Sequence, residues 1–248
     1  MELIALGVGG SWSPAGGGTS GYLLREGGFS LLVDAGSGTL GRLQEEIRLA
    51  DLGAVVVTHG HPDHFVDLYP LFYARHYGRQ GPPGLPLFAP TGFFELLGSL
   101  VSPESRAGMR ETFDVRTFEP GASFQVGPFT VGTRQMAHLG IPAAGYRFEA
   151  NGSALAYSGD TGPTPELVEL SRGADLLLCE ATWQDGDDLL PFHLSARQAG
   201  EHARAAGAAR LVLTHLWPSL DPAGSQRQAS EAFDGPVEVA VEGMRIRL

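Results

Sequence analysis

Residues 54–68, AVVVTHGHPDHFVDL, constrain this chain more than any other stretch. The β-branched apolar run reads as a buried strand. It leads without a break into Thr58-His59-Gly60-His61-Pro62-Asp63-His64. Three imidazoles and a carboxylate are costly at the mouth of a buried strand unless something binds them. Neutral imidazoles with a carboxylate are the donors that Zn²⁺ accepts, at ~2.0–2.2 Å. Alternate side chains of an extended segment share one face. His59, His61 and Asp63 are therefore expected to point together, with His64 following at the turn into a helix. Four such ligands exceed what one ion with an open position needs, so they imply a second ion.

A two-ion site needs more donors, and other strand ends should carry them. The segment QMAHLG puts His138 at the end of an apolar run, LAYSGDTG puts Asp160 at the end of another, and LVLTHLW puts His215 at the end of a third. Any one of these alone would read as structural. Together with the run at 59–64 they read as one metal-binding rim.

The remaining pattern is that of an α/β chain. Strand signals recur at 3–9, 21–36 (a hairpin), 54–59, 85–90, 112–118, 128–138, 143–160, 174–182, 210–215 and 237–248. The Asn151-Gly152 pair inside 143–160 is a hairpin-turn signal. Helical periodicity falls at 39–52, 67–78, 93–111 and 195–207, the last opening with Ser195 and Gln198 as a capping box and closing at Gly207. Each half of the chain runs from strands to helices, which predicts two packed sheets with helices outside, as one domain over 1–248. The loop GVGGSWSPAGGG at 7–18 fits neither the dinucleotide nor the P-loop fingerprint, and is read as lining a cleft.

Composition narrows the partners. The formal net charge is −11, and all 17 basic residues are arginine, with no basic cluster. A polyanion binder needs clustered cations, so a long nucleic acid is a poor fit, while a small phosphate ester is not excluded. No apolar run reaches the ~20 residues that span a bilayer. The start MELIALGVGG lacks the basic segment of a secretory signal. Cys179 is the one cysteine, so no intrachain disulfide can form. A cytoplasmic location is expected from this.

The run THGHPDH resembles the T-H-x-H-x-D-H motif of the metallo-β-lactamase fold superfamily, and the resemblance extends over nearly the whole chain. It implies an αββα sandwich of two mixed β-sheets flanked by helices, with metals at one edge. It implies one site from His59, His61 and His138, another from Asp63, His64 and His215, and Asp160 bridging both, with two Zn²⁺ per chain or Mn²⁺ or another divalent metal in their place. The stretches CEATW and FHLSARQAG are similar to the signature of the ribonuclease Z-like phosphodiesterases, where a Glu supports a His that faces the scissile phosphate. The matching residues are Glu180 and His193. The long substrate-gripping insertion and basic motif of the tRNA-processing members are missing between His138 and Asp160, where Arg147 is the only basic residue.

These readings converge on a dinuclear zinc hydrolase that cleaves a small phosphodiester such as a cyclic nucleotide. Asp63 orients the nucleophile and His193, supported by Glu180, serves the leaving oxygen. A ribonuclease Z-like RNA endonuclease and a thioester or lactone hydrolase are the alternatives. A non-enzymatic metal-binding protein fits least, because no donor is lost. A homodimer stays open. Ser11, Trp12 and the region Tyr69–Tyr77 are candidate cleft walls. Asp34 reads as structural, His76 and His202 as surface residues, Cys179 as a buried inert thiol, and Met136 and Trp217 as packing or pocket wall.

Overall fold

The computed structural model of the chain describes residues 1–186 and 190–248. The first half supplies β1 (Glu2–Gly7), β2 (Gly21–Glu26), β3 (Phe29–Val33), β4 (Ala54–Val56), β5 (Leu85–Pro90) and β6 (Phe113–Phe118). The second supplies β7 (Ser123–Val126), β8 (Phe129–Gln135), β9 (Ala144–Ala150), β10 (Ser153–Tyr157), β11 (Leu176–Glu180), β12 (Leu211–Thr214) and β13 (Val237–Val239), and β14 (Arg245–Arg247) closes the chain. They form two seven-stranded sheets, in the orders β14-β1-β2-β3-β4-β5-β6 and β13-β12-β11-β10-β9-β8-β7. Each sheet joins an antiparallel meander to a parallel half: β3 to β6 in one, β10 to β13 in the other.

Three apolar layers hold the sandwich. Between the sheets, Tyr22, Leu24, Leu31 and Val56 meet Phe129, Tyr146, Phe148 and Tyr157. Each such fully buried side chain contributes on the order of 1.5–3 kcal/mol. The opposite residues of the same strands, Leu23, Leu32 and Val55, face the outer helices. A strand covered on both faces reads as a continuous apolar run rather than an alternation. The first sheet is covered by α1 (Thr39–Glu46), α2 (Pro62–Phe65), α3 (Leu68–His76), α4 (Phe93–Leu97) and α5 (Pro103–Thr112), and the second by α6 (Pro165–Leu170), α7 (Ala196–Ala206) and α8 (Pro222–Ala232). This is the expected αββα sandwich of two mixed sheets. No helix among the described residues is long and apolar enough to cross a membrane.

Local signals behave as their chemistry requires. Asn151 and Gly152 take φ of 50° and 83°, the two left-handed residues of a type I′ turn. That turn sets Ala150 opposite Ser153 and Tyr146 opposite Tyr157. Ser195 and Gln198 make both halves of the capping box, and Gly207 ends α7 in the left-handed conformation. The helical stretch 93–111 is broken: α4 passes into a 3₁₀ turn, and Ser102 caps a new helix that begins at Pro103. Pro103 has no amide to continue the first helix, but it suits the first turn of the second. The apolar segment 237–248 is not one strand. Its first part pairs with β12 and its last with β1, so the chain crosses from one sheet to the other through a turn at Gly243.

The strands β3, β4, β8, β10, β11 and β12 run in one direction within their sheets; β11 ends on Glu180, and the segments that leave the carboxyl ends of the others carry Asp34, His59, His138, Asp160 and His215. In α/β sheets of this kind the carboxyl ends of the strands form the rim where ligands bind.

Candidate metal centre

Seven side chains converge at that rim in two groups that share Asp160. The donor atoms of His59, His61, His138 and Asp160 all lie within 4.8 Å of one another, and so do those of Asp63, His64, Asp160 and His215. In the first group His61 Nδ1 stands 3.0 Å from both His59 Nε2 and His138 Nε2. In the second, Asp63 Oδ2 is 3.3 Å from His215 Nε2 and 3.7 Å from His64 Nε2. Donors held at ~2.0–2.1 Å around one tetrahedral ion stand about 3.3 Å apart, so both groups have the right span. The two oxygens of Asp160 divide between them. Oδ1 lies 3.1 Å from His64 Nε2 and 3.3 Å from His215 Nε2, while Oδ2 lies 3.8 Å from His59 Nε2 and 3.9 Å from His138 Nε2.

The extended-strand argument holds only as far as His61. That residue is the N-cap of α2, with φ −84° and ψ 139°, and Pro62 starts the helix. Asp63 therefore lies in a first helical turn, and its carboxylate faces His64 and His215 rather than His59 and His61. Helix initiation sends one six-residue run to two centres.

The outer nitrogens decide which tautomer each imidazole holds. His64 Nδ1 donates to Asp34 Oδ2 at 2.8 Å, and His138 Nδ1 donates to the carbonyl of Phe192 at 2.9 Å. The Thr58 hydroxyl donates to Asp34 Oδ2 at 3.0 Å and so accepts from His59 Nδ1, also at 3.0 Å. The Thr182 hydroxyl donates to Glu180 Oε2 at 2.8 Å and accepts from His215 Nδ1 at 2.9 Å. All four rings thus turn the lone pair of Nε2 inward. His64 Nε2 and Asp160 Oδ1 are buried and, despite their proximity, make no aligned hydrogen bond. Buried polar atoms are rarely left so. Two facing lone pairs are what a cation would satisfy, and the donor set of imidazoles and carboxylates fits Zn²⁺, Mn²⁺, Fe or Co²⁺.

The local field favours a cation as well. Burial holds His59, His61 and His138 below the ordinary histidine value. Burial acts the same way on His64 and His215, but the carboxylates of Asp160 and Asp63, with Asp34 also acting on His64, outweigh it and hold both rings up. Burial would raise Asp63 and Asp160, yet the neighbouring imidazoles keep both carboxyls below the usual range.

Beside this centre Glu180 is fully buried and His193 is nearly so. Glu180 Oε1 accepts from His193 Nδ1 at 2.9 Å and from the Thr161 amide at 2.7 Å, and Oε2 accepts from Thr182 Oγ1 and the Leu194 amide. Its lone pairs are thus committed to holding His193, whose ring stacks at 5.6 Å on that of His215. Burial pushes the His193 imidazole down, but the Glu180 carboxylate outweighs this and pushes it up to about 9.

Some of the machinery has no motif behind it. Asp34 was legible only as a strand-ending acid, yet it is wholly buried, takes φ 58°, and accepts from the Thr58 amide, Thr58 Oγ1, His64 Nδ1 and Tyr157 OH. Its signal was a carboxylate directly after LLV, which a core tolerates only when it is hydrogen-bonded. Thr182 tethers Glu180 and His215 and had no signal beyond lying between them. Two cavities flank the centre and meet at Ile141 and Pro142. One, of about 330 Å³, reaches His59 and His61 past Phe93 and Leu96; the other, of about 620 Å³, reaches His138 past Met136 and Phe192. None of Tyr69–Tyr77 lines either cavity. His76 stacks on Phe72 and His202 accepts from the Thr164 amide, so neither is a plain surface residue. Cys179 is fully buried, as expected, and burial pushes its thiol up.

Comparison with known proteins identifies the family of the fold. The family model described as the beta-lactamase superfamily domain matches residues 30–216. The uncharacterized protein ML1173 of Mycobacterium leprae is 38% identical over 255 residues, 98% of this chain and 87% of that protein. The probable metallo-hydrolase YhfI of Bacillus subtilis is 30% identical over 98% of both chains. The crystal structure of YhfI superposes with a TM-score of 0.89 over 99% of each chain, at 28% identity. A ribonuclease Z of Mycobacterium bovis is 26% identical over the whole chain and 98% of its own.

Proposed function

We propose, for a chain that belongs to the metallo-β-lactamase superfamily of metal-dependent hydrolases, that it is a dinuclear zinc phosphodiesterase acting on a small phosphodiester such as a cyclic nucleotide. One observation carries the reading: the two oxygens of Asp160 face separate donor sets, and a histidine locked by a buried glutamate stands over them. Metal ions at such a pair of sites supply Lewis acidity toward a phosphoryl oxygen and a hydroxide near neutral pH.

The chain's own residues supply the rest. Asp63 is the most exposed of the carboxylates there, with 14% of its side chain open, so it reaches both the centre and the mouth and can orient an attacking hydroxyl. His193 has Nδ1 committed to Glu180. Its Nε2 is then the nitrogen that donates to the leaving oxygen, a role worth typically 10²–10⁴ in rate. Glu180 fixes that tautomer and the ring's plane.

Several features support a small substrate over an RNA chain. Apart from histidines, the two cavities beside the centre carry one ionisable side chain, Glu119, and no arginine. Arg147, alone between His138 and Asp160, is bound to Glu149 and to the carbonyls of Leu170 and Arg172. Without clustered cations, the counterion release that drives polynucleotide binding is small. A cytoplasmic site of action accords with the lone buried thiol.

The test is hydrolysis of bis(p-nitrophenyl) phosphate by purified protein, with metal content measured in parallel. Two metals per chain and turnover lost in Asp63→Ala are expected. A fully metallated protein inert on phosphodiesters but active on a thioester or lactone would replace this reading with acyl hydrolysis.

A further inference from the structure

All three tryptophans of the chain meet in one edge-to-face cluster, although they come from three separate loops. Trp183 follows β11, Trp217 follows β12, and Trp12 follows β1. The ring centroids of Trp183 and Trp217 are 4.3 Å apart, and those of Trp217 and Trp12 are 5.2 Å apart. Exposure rises outward along the cluster, from 5% at Trp183 to 45% at Trp12. A single exposed tryptophan needs no explanation. One held at the open end of an aromatic cluster whose inner ring is buried, beside the candidate metal centre, does.

The loop that carries Trp12 is bound to the centre itself. The Ser11 amide donates to Asp63 Oδ2 at 3.0 Å, and Trp217 Nε1 donates to Ser11 Oγ at 3.2 Å. Ser11 takes φ 60° to make this contact. The Gly10 amide donates to the Leu216 carbonyl, and Gly10 passes so close to His215 that a Cβ there would lie 2.4 Å from its carbonyl oxygen. Further along, Glu242 accepts from the Gly18 amide and pairs with Arg42. The loop backbone is thus held at its tip and its base, so little of it needs ordering when a ligand arrives.

The position of the opening fixes what Trp12 can meet. Among the site residues, His59, His64, His138, Asp160 and His215 are buried, and the centre surfaces through His61, Asp63 and His193. The cluster meets two of these residues, Asp63 through Ser11 and His193 through Trp183, whose ring lies 6.0 Å from that of His193. An indole face offers nothing to a phosphate, but it stacks on any flat neutral ring.

We propose that Trp12 is a specificity-determining platform on which a planar ring of the substrate, a nucleobase or aryl group beside the phosphodiester, stacks. This rests on the phosphodiesterase reading. It adds that the site selects the ring and not the phosphodiester alone.

The test is calorimetric titration of the zinc-loaded full chain with adenosine monophosphate and with ribose 5-phosphate, which share the phosphate and differ in the base. Adenosine monophosphate is expected to bind more tightly and to shift the tryptophan emission, which all three clustered rings report. Trp12→Ala should weaken adenosine monophosphate by roughly 5- to 100-fold, the range of stacking losses on alanine substitution, and leave ribose 5-phosphate unchanged. Trp12→Phe, which keeps a flat ring, should stay within about 3-fold of the original. The platform is refuted if the two ligands bind the unaltered protein alike, or if Trp12→Ala binds both as the unaltered protein does. Hydrolysis of bis(p-nitrophenyl) phosphate reads out the underlying function separately. Inertness there with base-dependent binding intact removes the phosphodiesterase reading and keeps a ring-binding platform, whereas turnover with no base dependence removes the platform alone.

Discussion

Asp34→Asn separates the task of holding a ligand from that of filling space. The carboxylate takes four hydrogen bonds, two from Thr58 and one each from His64 and Tyr157, at 2.8–3.0 Å. Asparagine has the same shape and tolerates the left-handed backbone that Asp34 adopts, so the strand end should not move. What changes is one acceptor. Oδ2, which now receives His64 Nδ1, Thr58 Oγ1 and Tyr157 OH, becomes an NH₂ facing three donors. His64 can then keep a hydrogen bond only by accepting at Nδ1, which places its proton on Nε2, the nitrogen that faces Asp160 and Asp63. A protonated Nε2 cannot ligate. Removing such a supporting partner lowers metal affinity by typically 10–100-fold, or about 1.4–2.8 kcal/mol. The loss should be larger at the Asp63/His64/His215 site, where His64 bonds Asp34 directly, than at the His59/His61/His138 site, which Asp34 reaches only through Thr58 and His59. Calorimetric titration of apo protein with Zn²⁺ against a competing chelator resolves the two sites. Tyr157→Phe, which removes one donor and leaves His64 its acceptor, is the control and should bind metal nearly as before. Two Zn²⁺ bound by Asp34→Asn with unaltered affinities would refute the reasoning that the outer hydrogen bond sets the tautomer.

Four further outcomes are expected. His193→Ala should lower kcat by about 10²–10⁴ with both metals retained, and the loss should be larger for an alkoxide than for a p-nitrophenolate leaving group, because the latter needs little protonation; equal losses would argue against a proton donor. Glu180→Gln should retain metal and lose part of the same activity, and a change in metal content alone would place Glu180 in the wrong role. Gly10→Ala forces a Cβ to within 2.4 Å of the His215 carbonyl and 2.8 Å of its Nδ1; relieving that contact takes a shift of about 1 Å, a misplacement that can cost roughly 10²-fold in activity, so unchanged steady-state kinetics would show that the loop accommodates it. Phe129→Ala, between the sheets, should cost ~3–5 kcal/mol in denaturant unfolding while Zn²⁺ at 100 times its Kd adds ~2.7 kcal/mol. Failure of chelators to lower the midpoint would count against metals bound to the native chain.

The sequence by itself singled out the ligand-type residues and most of the strands. Ligand-type residues are conspicuous when they terminate apolar runs, because burial penalises them so heavily that only a bound cation or a full set of hydrogen bonds explains them. That logic found His59, His61, Asp63, His64, His138, Asp160 and His215 together. Glu180 and His193 came from the family pattern. It found the Asn151-Gly152 turn and the cap at Ser195 because both are local.

Tertiary structure alone decided how the donors divide. An alternation rule put His59, His61 and Asp63 on one face, whereas the helix starting at Pro62 turned Asp63 toward His215, 152 residues away. It also decided that Asp34 is a hub, that the segment 237–248 serves both sheets, and that Trp12, Trp183 and Trp217 meet. Each depends on pairing between distant strands, whose partners no local period encodes. Strand direction and sheet order bring the ends of β3, β4, β8, β10, β11 and β12 to one rim, and proximity at that rim, rather than residue type, is what turns seven scattered donors into one centre.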